Sequence, residues 1–117
     1  METLNHTPPQ HYDFASINGM RGEVTQEDIH EGVFCDHEAC ALALAVERMF
    51  PGYRVFVDDY IDITDKYGVT FINTAITENL LVWIDEFDNK NPVKPIKLIM
   101  TGEYIRTNKW NWILGIQ

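Results

Sequence analysis

The chain carries two cysteines and two histidines within eleven consecutive positions, at His30, Cys35, His37 and Cys40. These residue types bind zinc, and a cysteine beside a histidine can act as a nucleophile. Structural zinc sites usually take two short pairs of ligands from separate elements, which this spacing does not provide. A nucleophilic Cys35 could use His37 as its base, but no residue can be assigned to orient that base. We therefore predict no metal, no cofactor and no catalytic residue, and interpret the segment as a capped helix start with Cys40 buried.

Four aspartates form a second candidate site, at Asp58, Asp59, Asp62 and Asp65. Grouped carboxylates can bind calcium or magnesium and can serve in acid–base catalysis. A calcium loop needs alternating oxygen ligands, a central glycine and a terminal glutamate, and "DDYIDITDKYG" lacks that register. The sequence has no glycine-rich phosphate loop and no serine–histidine–aspartate arrangement. We predict that these carboxylates are solvated hairpin charges and that the protein is not an enzyme.

The overall charge favours some classes of partner over others. Among 117 residues, 18 are acidic and 9 are basic, which gives a formal net charge of −9. This charge repels nucleic acids and anionic membranes and favours basic proteins. No segment approaches the roughly 20 apolar residues of a membrane span, and the polar N-terminus does not resemble a signal peptide. Two cysteines this close together at a helix start are typical of reduced thiols in a reducing compartment. We therefore predict a cytoplasmic protein without direct contact to nucleic acid or membrane.

The elements that must position these residues divide into three segments. Prolines and glycines without hydrophobic periodicity predict an N-terminal arm over residues 1–23. Regular patterns follow over residues 24–100, which we predict to be one core domain, and residues 101–117 form an aromatic C-terminal extension.

Three helices are predicted in the core. Thr25 is typical of an N-cap and begins a short helix that ends near Gly32. The second helix runs from about Asp36 to Phe50, where a Pro-Gly pair stops it. Thr77 precedes the third helix, "ENLLVWIDEFD", which has a clear apolar stripe.

Alternating apolar residues predict strands near residues 53–58, 60–64, 68–73 and 95–101, with Val69 and Phe71 on the core face of the third. The predicted fold class is α+β, with a small antiparallel sheet of three to five strands packed against two or three helices. Eight residues of these elements are expected to be buried: Cys40, Leu44, Phe56, Ile63, Phe71, Leu81, Ile84 and Ile99.

Three segments of the core carry a family resemblance: "VTQEDIHEGV", "CALALAVERMFPGYRVFV" and "WIDEFDNKNPVKPIKLIM". Together they resemble a group of small uncharacterised bacteriophage and prophage proteins with a Cys-Pro-Ile-Ala-Leu-Ala-type helix. The similarity covers about Val24 to Met100, and its motifs are structural rather than catalytic. This chain differs by having Ala41 where proline is usual, and by its two terminal extensions. The resemblance implies a phage-borne accessory protein and assigns no catalytic residue.

The first functional hypothesis is therefore a phage protein that acts in the host cytoplasm by binding a host protein with a basic surface. Inhibition of a nucleic-acid-binding defence factor is one form of it. The predicted contacts are carboxylates of the hairpin and the third helix: Asp58, Asp59, Asp62, Asp65, Asp85, Glu86 and Asp88. One alternative is a small enzyme or small-molecule-sequestering protein that uses Cys35, His37 and Cys40. Another is a structural or assembly protein.

The extension suggests a second surface. It concentrates large apolar residues, among them Tyr104, Trp110, Trp112 and Ile113, which are rarely left in water. We predict that these four residues form the interface of a homo-oligomer. The alternative is that the extension adds a strand to its own sheet and buries Trp110 or Trp112 there.

Overall fold

The computed structural model describes residues 13–106 and 109–117, so residues 1–12 of the predicted arm lie outside the description. Within these ranges the chain is α+β, as predicted, with four helices and six strands. The helices are α1 (Phe14–Ile17), α2 (Gln26–Glu31), α3 (Ala41–Met49) and α4 (Glu78–Asp88). The strands are β1 (Arg21–Val24), β2 (Arg54–Val57), β3 (Tyr60–Thr64), β4 (Thr70–Ile76), β5 (Ile96–Arg106) and β6 (Lys109–Ile116).

All six strands belong to one sheet with the order β1-β5-β6-β4-β3-β2. Neighbouring strands are antiparallel except β4 and β6, which run parallel because α4 and β5 lie between them in the chain. The predicted sheet of three to five antiparallel strands was therefore too small, and the observed sheet is mixed rather than wholly antiparallel. The strand that was missed is β1, most of which lies in the segment predicted as an arm, whereas β6 corresponds to the alternative in which the aromatic extension adds a strand.

Helix α3 is the centre of the core. Five of its nine residues are at most 1% exposed: Ala41, Leu42, Ala43, Ala45 and Val46. Three of these are alanines, whose small side chains let strands approach the helix closely. The helix packs on both edge strands, β1 and β2, although they are the two ends of the sheet order. The sheet therefore curls around α3, and α2 also packs on this helix.

One ion pair, between Asp28 and Arg48, connects α2, α3 and β1. The N–H of Asp28 donates to Thr25 Oγ1 at 3.1 Å, and the N–H of Thr25 donates to Asp28 Oδ2 at 2.8 Å, which forms the capping box of α2. Both terminal nitrogens of Arg48 in α3 donate to the same carboxylate, at 2.7 and 2.6 Å. Nη2 of Arg48 also donates to the carbonyl of Glu23 at 2.9 Å. The predicted Thr25 cap is thus confirmed, and it is part of a larger tertiary contact.

Helix α4 begins and ends at the predicted residues, and aromatic contacts hold it in place. Trp83 stacks on Phe87 at a centroid distance of 5.9 Å, and Phe87 contacts Phe34 at 4.9 Å. The indole N–H of Trp83 donates to the carbonyl of Lys94 at 3.0 Å. These contacts fix the C-terminal half of α4 against the loop that precedes α3.

Helix α3 begins five residues later than predicted. The side chain of Asp36 accepts hydrogen bonds from the N–H groups of Glu38 and Ala39, both at 2.9 Å, and closes a turn. The N–H of Cys40 then donates to the carbonyl of Asp36 at 3.0 Å, and Cys40 is the N-cap of α3. Asp36 therefore organises a tight loop ahead of the helix instead of capping the helix itself.

The predicted core was right in part. Cys40 and Ile63 are buried, and Leu44, Phe71, Ile84 and Ile99 are partly buried. Two residues expected to be buried are exposed, Phe56 by 41% and Leu81 by 38%.

Phe56 and Leu81, together with Val69, were assigned to the wrong face of their elements. In β2 the buried residues are Val55 and Val57, so Phe56 points away from the core. In α4 the buried stripe contains Leu80, so its neighbour Leu81 lies outside it. A register shift after Ile63 places Ile72 rather than Val69 inside, and Val69 is 62% exposed.

The aromatic extension belongs to the centre of the sheet. Strand β6 lies between β5 and β4, and its residues Trp112 and Leu114 are buried. The Trp112 ring crosses over Gly102 of β5, where a Cβ would lie 2.6 Å from Cε3. The alternative in which the extension adds a strand and buries Trp112 therefore describes this part of the fold. The oligomer stays a prediction, with Tyr104 and Ile113 exposed by 56% and 45%.

We expect Gly102→Ala to destabilise the protein by about 1–3 kcal/mol, because the added methyl group overlaps the buried Trp112 ring. Thr101→Ala is the matched control on the neighbouring exposed position. Urea unfolding followed by tryptophan fluorescence measures both. Equal stability of the two variants would contradict the close packing of Trp112 on Gly102.

The carboxylate of Asp28 should make stability pH-dependent. Burial raises the pKa of Asp28, but the hydrogen bonds from Arg48 and Thr25 outweigh it and hold the pKa below its ordinary value of 3.8. The stability from ionised Asp28 is therefore present above pH 3.8 and is lost as the pH falls through the folded-state pKa.

We accordingly expect Asp28→Asn to lower the free energy of unfolding at pH 7 by about 2 kcal/mol, the scale of hydrogen bonds to charged groups. In urea titrations at decreasing pH, the difference from the wild type should narrow below pH 3.8. Glu27→Gln, an exposed change on the same helix, should cost less than about 0.5 kcal/mol. A difference that persists unchanged into the acid range would refute this role of Asp28.

Candidate functional site

A cavity of about 360 Å³ lies between the loop before α3, the β2–β3 turn and one side of α4. It is lined by Cys35, Asp36, His37, Cys40, Val57, Asp58, Asp59, Leu81, Ile84, Asp85 and Asp88. We call it the acidic pocket, because five of these eleven residues are aspartates and none is a lysine or arginine.

His37 attaches the loop before α3 to the edge strand β2. The N–H of Val57 donates to the carbonyl of His37 at 2.8 Å, and Nδ1 of His37 lies 2.6 Å from the carbonyl oxygen of Val57. Because a carbonyl oxygen only accepts, Nδ1 carries the proton of this bond. The His37 ring also stacks on Phe56 at a centroid distance of 4.7 Å, so the exposed Phe56 supports the wall of the pocket.

The same loop is attached to α4 on its other side. Cys35 has a positive φ of 59°, which turns its N–H toward Asp88 Oδ1 at 2.9 Å. Its sulfur lies 3.8 Å from the backbone oxygen of Asp88. A positive φ is uncommon outside glycine and is maintained here by this contact to the helix end. Asp88 therefore has a structural bond and still contributes its charge to the pocket.

The remaining carboxylates come from two regular elements. Asp58 and Asp59 form the tip of the two-residue β2–β3 hairpin, where the N–H of Asp58 donates to the carbonyl of Tyr60 at 2.9 Å. On α4, Leu81, Ile84, Asp85 and Asp88 follow the spacing that places residues on one side of a helix. The pocket therefore has apolar walls beside its acidic rim.

The charges of the pocket have no basic partner within the described residues. The ion pairs there join Arg48 to Asp28 and Arg54 to Glu38, and neither includes an aspartate of the pocket. Carboxylates grouped around one cavity produce a negative potential there. The arrangement is therefore suited to a cation.

The two cysteines are free thiols rather than a disulfide. Burial raises the pKa of the Cys40 thiol, and the nearby charge of Asp88 adds to this effect. Cys40 is therefore a protonated thiol at neutral pH, whereas cysteine nucleophiles react as thiolates. Across residues 13–106 and 109–117 no hydrogen bond joins either sulfur to His37.

A metal site was the other chemistry considered for this region. Within the described ranges, no group of three or more histidine, cysteine, aspartate or glutamate residues has an arrangement that could hold a metal ion. His30 lies on α2 and does not line the pocket.

The structure brings together four of the seven predicted contact residues, Asp58, Asp59, Asp85 and Asp88. The other three do not line the pocket and have local hydrogen bonds. Asp62 accepts from Asn73 Nδ2 at 2.5 Å, Asp65 accepts two N–H groups of its own turn, and Glu86 accepts from Asn91 at 3.3 Å.

Sequence reasoning missed Asp36 as a pocket residue. The available signal was its position ahead of an apolar helix, which was read only as a helix start. The one-sided spacing of residues 81, 84, 85 and 88 was a usable signal for the apolar wall.

The predicted oligomer residues lie apart from the pocket, on β5 and β6. Trp110 stacks on Trp112 at a centroid distance of 5.3 Å, and Tyr104 meets Trp110 edge-on at 5.4 Å. Phe14 of α1 packs on Trp112 at 6.0 Å. This aromatic cluster covers one face of the hairpin that β5 and β6 form.

None of the helices in the described part of the chain is long and apolar enough to cross a membrane. No protein-family model matches the chain, and no curated protein and no solved structure has a significant match to it.

Proposed function

We propose that this protein acts by binding a basic protein partner, and that a lysine or arginine side chain of the partner enters the acidic pocket. The observation that carries the proposal is the convergence of five aspartates from three segments on one cavity without a lysine or arginine in its lining. A basic side chain would neutralise part of this charge and form charge-assisted hydrogen bonds.

The apolar wall supports a side chain in preference to a bare metal ion. Lysine and arginine have aliphatic stems that pack on apolar surfaces while the charged head reaches polar groups. Leu81 and Ile84 of α4 and Val57 of β2 would contact the stem, and the aspartates would bind the head. The pocket volume of about 360 Å³ accommodates one such side chain with its neighbouring backbone.

The proposal also concerns what kind of protein the partner is. On the basis of the resemblance to phage accessory proteins, the proposal extends to a host protein as partner and to the host cytoplasm as the place of action. Proteins that bind nucleic acids have basic surfaces, and a net charge of −9 increases their rate of association with this chain. A nucleic-acid-binding defence factor that this protein inhibits would fit these properties.

The second candidate function is a small enzyme or a protein that sequesters a small molecule. The observation in its favour is that Cys35, His37 and Cys40 all line the acidic pocket. The raised pKa of the Cys40 thiol opposes nucleophilic chemistry there. A structural or assembly role remains the third hypothesis, and no residue of the pocket specifically favours it.

The binding proposal is tested with a ten-residue peptide of alternating lysine and arginine and an equally long glutamate peptide. We expect the double variant Asp58→Asn/Asp59→Asn to bind the basic peptide about tenfold more weakly, because two charge-assisted hydrogen bonds become weaker neutral ones. Isothermal titration calorimetry measures the affinity, which should fall further with added salt, and the glutamate peptide should not bind.

The matched control is Glu27→Gln/Glu31→Gln, which removes the same charge from exposed positions on α2. It should change the affinity less than about twofold, as expected for distant screened charges. Equal losses for the two double variants would mean that only net charge matters, and this would overturn the pocket as the binding site.

The enzyme alternative is tested by the reactivity of the two thiols. We expect iodoacetamide to label exposed Cys35 readily and to label Cys40 only upon unfolding, because Cys40 is buried and its pKa is raised. Mass spectrometry of peptides after timed labelling gives both rates. Rapid labelling of Cys40 in the folded protein, lost in the variant His37→Ala, would support the enzyme and contradict our assignment.

A further inference from the structure

The outer half of the β5–β6 hairpin extends beyond its neighbouring strands. Strand β1 pairs with β5 only as far as Ile99, and β4 pairs with β6 only from Trp112 to Leu114. Along the outer edge of β5, Met100 donates to the carbonyl of Met20 at 2.8 Å, and Gly102 donates to Asn18 Oδ1 at 3.0 Å. Past Gly102, nothing in residues 13–106 and 109–117 pairs with this edge.

The unpaired edge comprises residues 103–106 and carries large apolar side chains. Tyr104 is 56% exposed and Ile105 is 43% exposed, and Ile113 on the adjacent strand is 45% exposed. Soluble proteins usually protect such edges, since free backbone N–H and C=O groups beside apolar side chains bind another strand. Here the register shift between Tyr104 and Arg106 is the only irregularity of this edge in the described part of the chain.

The hairpin carries little net charge, whereas the chain as a whole is strongly acidic. Residues 101–117 contain one acidic residue, Glu103, and two basic residues, Arg106 and Lys109, for a local charge of +1. The first 100 residues therefore contain 17 acidic and 7 basic residues, for a charge of −10. Two copies that meet through their hairpins therefore encounter little charge repulsion, whereas contact through the acidic surfaces elsewhere brings like charges together.

We propose that a second copy of this chain pairs antiparallel with residues 103–106, related by a two-fold axis near Tyr104. A two-fold interface must be self-complementary, and this segment has an acidic and a basic residue at its two ends. Antiparallel pairing brings Glu103 of each copy close to Arg106 of the other. It also pairs the free backbone edge and covers Tyr104 and Ile105.

The proposal is independent of the acidic pocket, because the pocket and the edge share no residue. Either can therefore fail without the other. Of the predicted interface residues, Tyr104 lies on the edge, Ile113 lies on the adjacent strand opposite Thr101, and buried Trp112 contributes by holding the hairpin rigid.

Mass measurement by light scattering after size exclusion tests the dimer at about 50 μM, where a specific interface of ordinary size is occupied. The wild type should have a mass of about 27 kDa, twice the 13.6 kDa of one chain. Arg106→Glu makes both ends of the edge acidic and should weaken dimerisation at least tenfold. The double variant Glu103→Lys/Arg106→Glu restores opposite charges and should restore the dimer.

Lys94→Glu is the matched control, with the same change of charge in the loop that precedes β5. It should leave the mass unchanged, and circular dichroism should show that all variants are folded. A monomeric wild type at this concentration overturns the proposal. So does an Arg106→Glu variant that keeps the wild-type mass, or a double variant that stays monomeric.

Discussion

The burial of α3 is the constraint on which the rest of the structure depends. A helix with five nearly inaccessible residues cannot be covered by a flat sheet, which contacts only one side of a cylinder. The sheet meets this requirement by curling until both β1 and β2 reach the helix. Because β2 is then beside the start of α3, the preceding loop can bind its edge through His37 and Val57. The acidic pocket is a direct result of this closure.

Apolar and hydrogen-bonding contacts hold the pocket together against its own charge. Five aspartates line this cavity, and contacts of other kinds fix the segments that carry them. These contacts are the packing of Phe34 against Phe87 and the hydrogen bond from the Cys35 N–H to Asp88, which is accompanied by an uncommon backbone angle at Cys35. Such a preformed arrangement loses little conformational entropy when a cation binds, which favours affinity.

Local sequence patterns predicted the local elements well. The bounds of α4 and β3 and the cap at Thr25 follow from periodicity, alternation and capping chemistry within a few residues. Strand β1 has four residues and gains its identity from pairing with β5, about 75 positions away, so no local pattern marks it. The parallel pairing of β4 with β6 likewise depends on a distant partner, and the inward position of Ile72 in place of Val69 depends on an irregularity of the β3–β4 pairing that local alternation does not mark.

The sequence predicted only part of the candidate site for the same reason. The sequence grouped Asp58 and Asp59 with Asp62 and Asp65, because these residues are neighbours in the chain. In the fold, strand alternation and turn bonds separate the latter two, whereas the curled sheet and the packing of α4 bring in aspartates from positions 36, 85 and 88. A two-fold dimer through the hairpin would carry two such pockets. A partner with repeated basic groups could then occupy both, and the second contact would form at the high effective concentration that linkage provides. Strong acidity would in this way serve recognition as well as solubility, while the hairpin, which carries little net charge, would form the contact between copies.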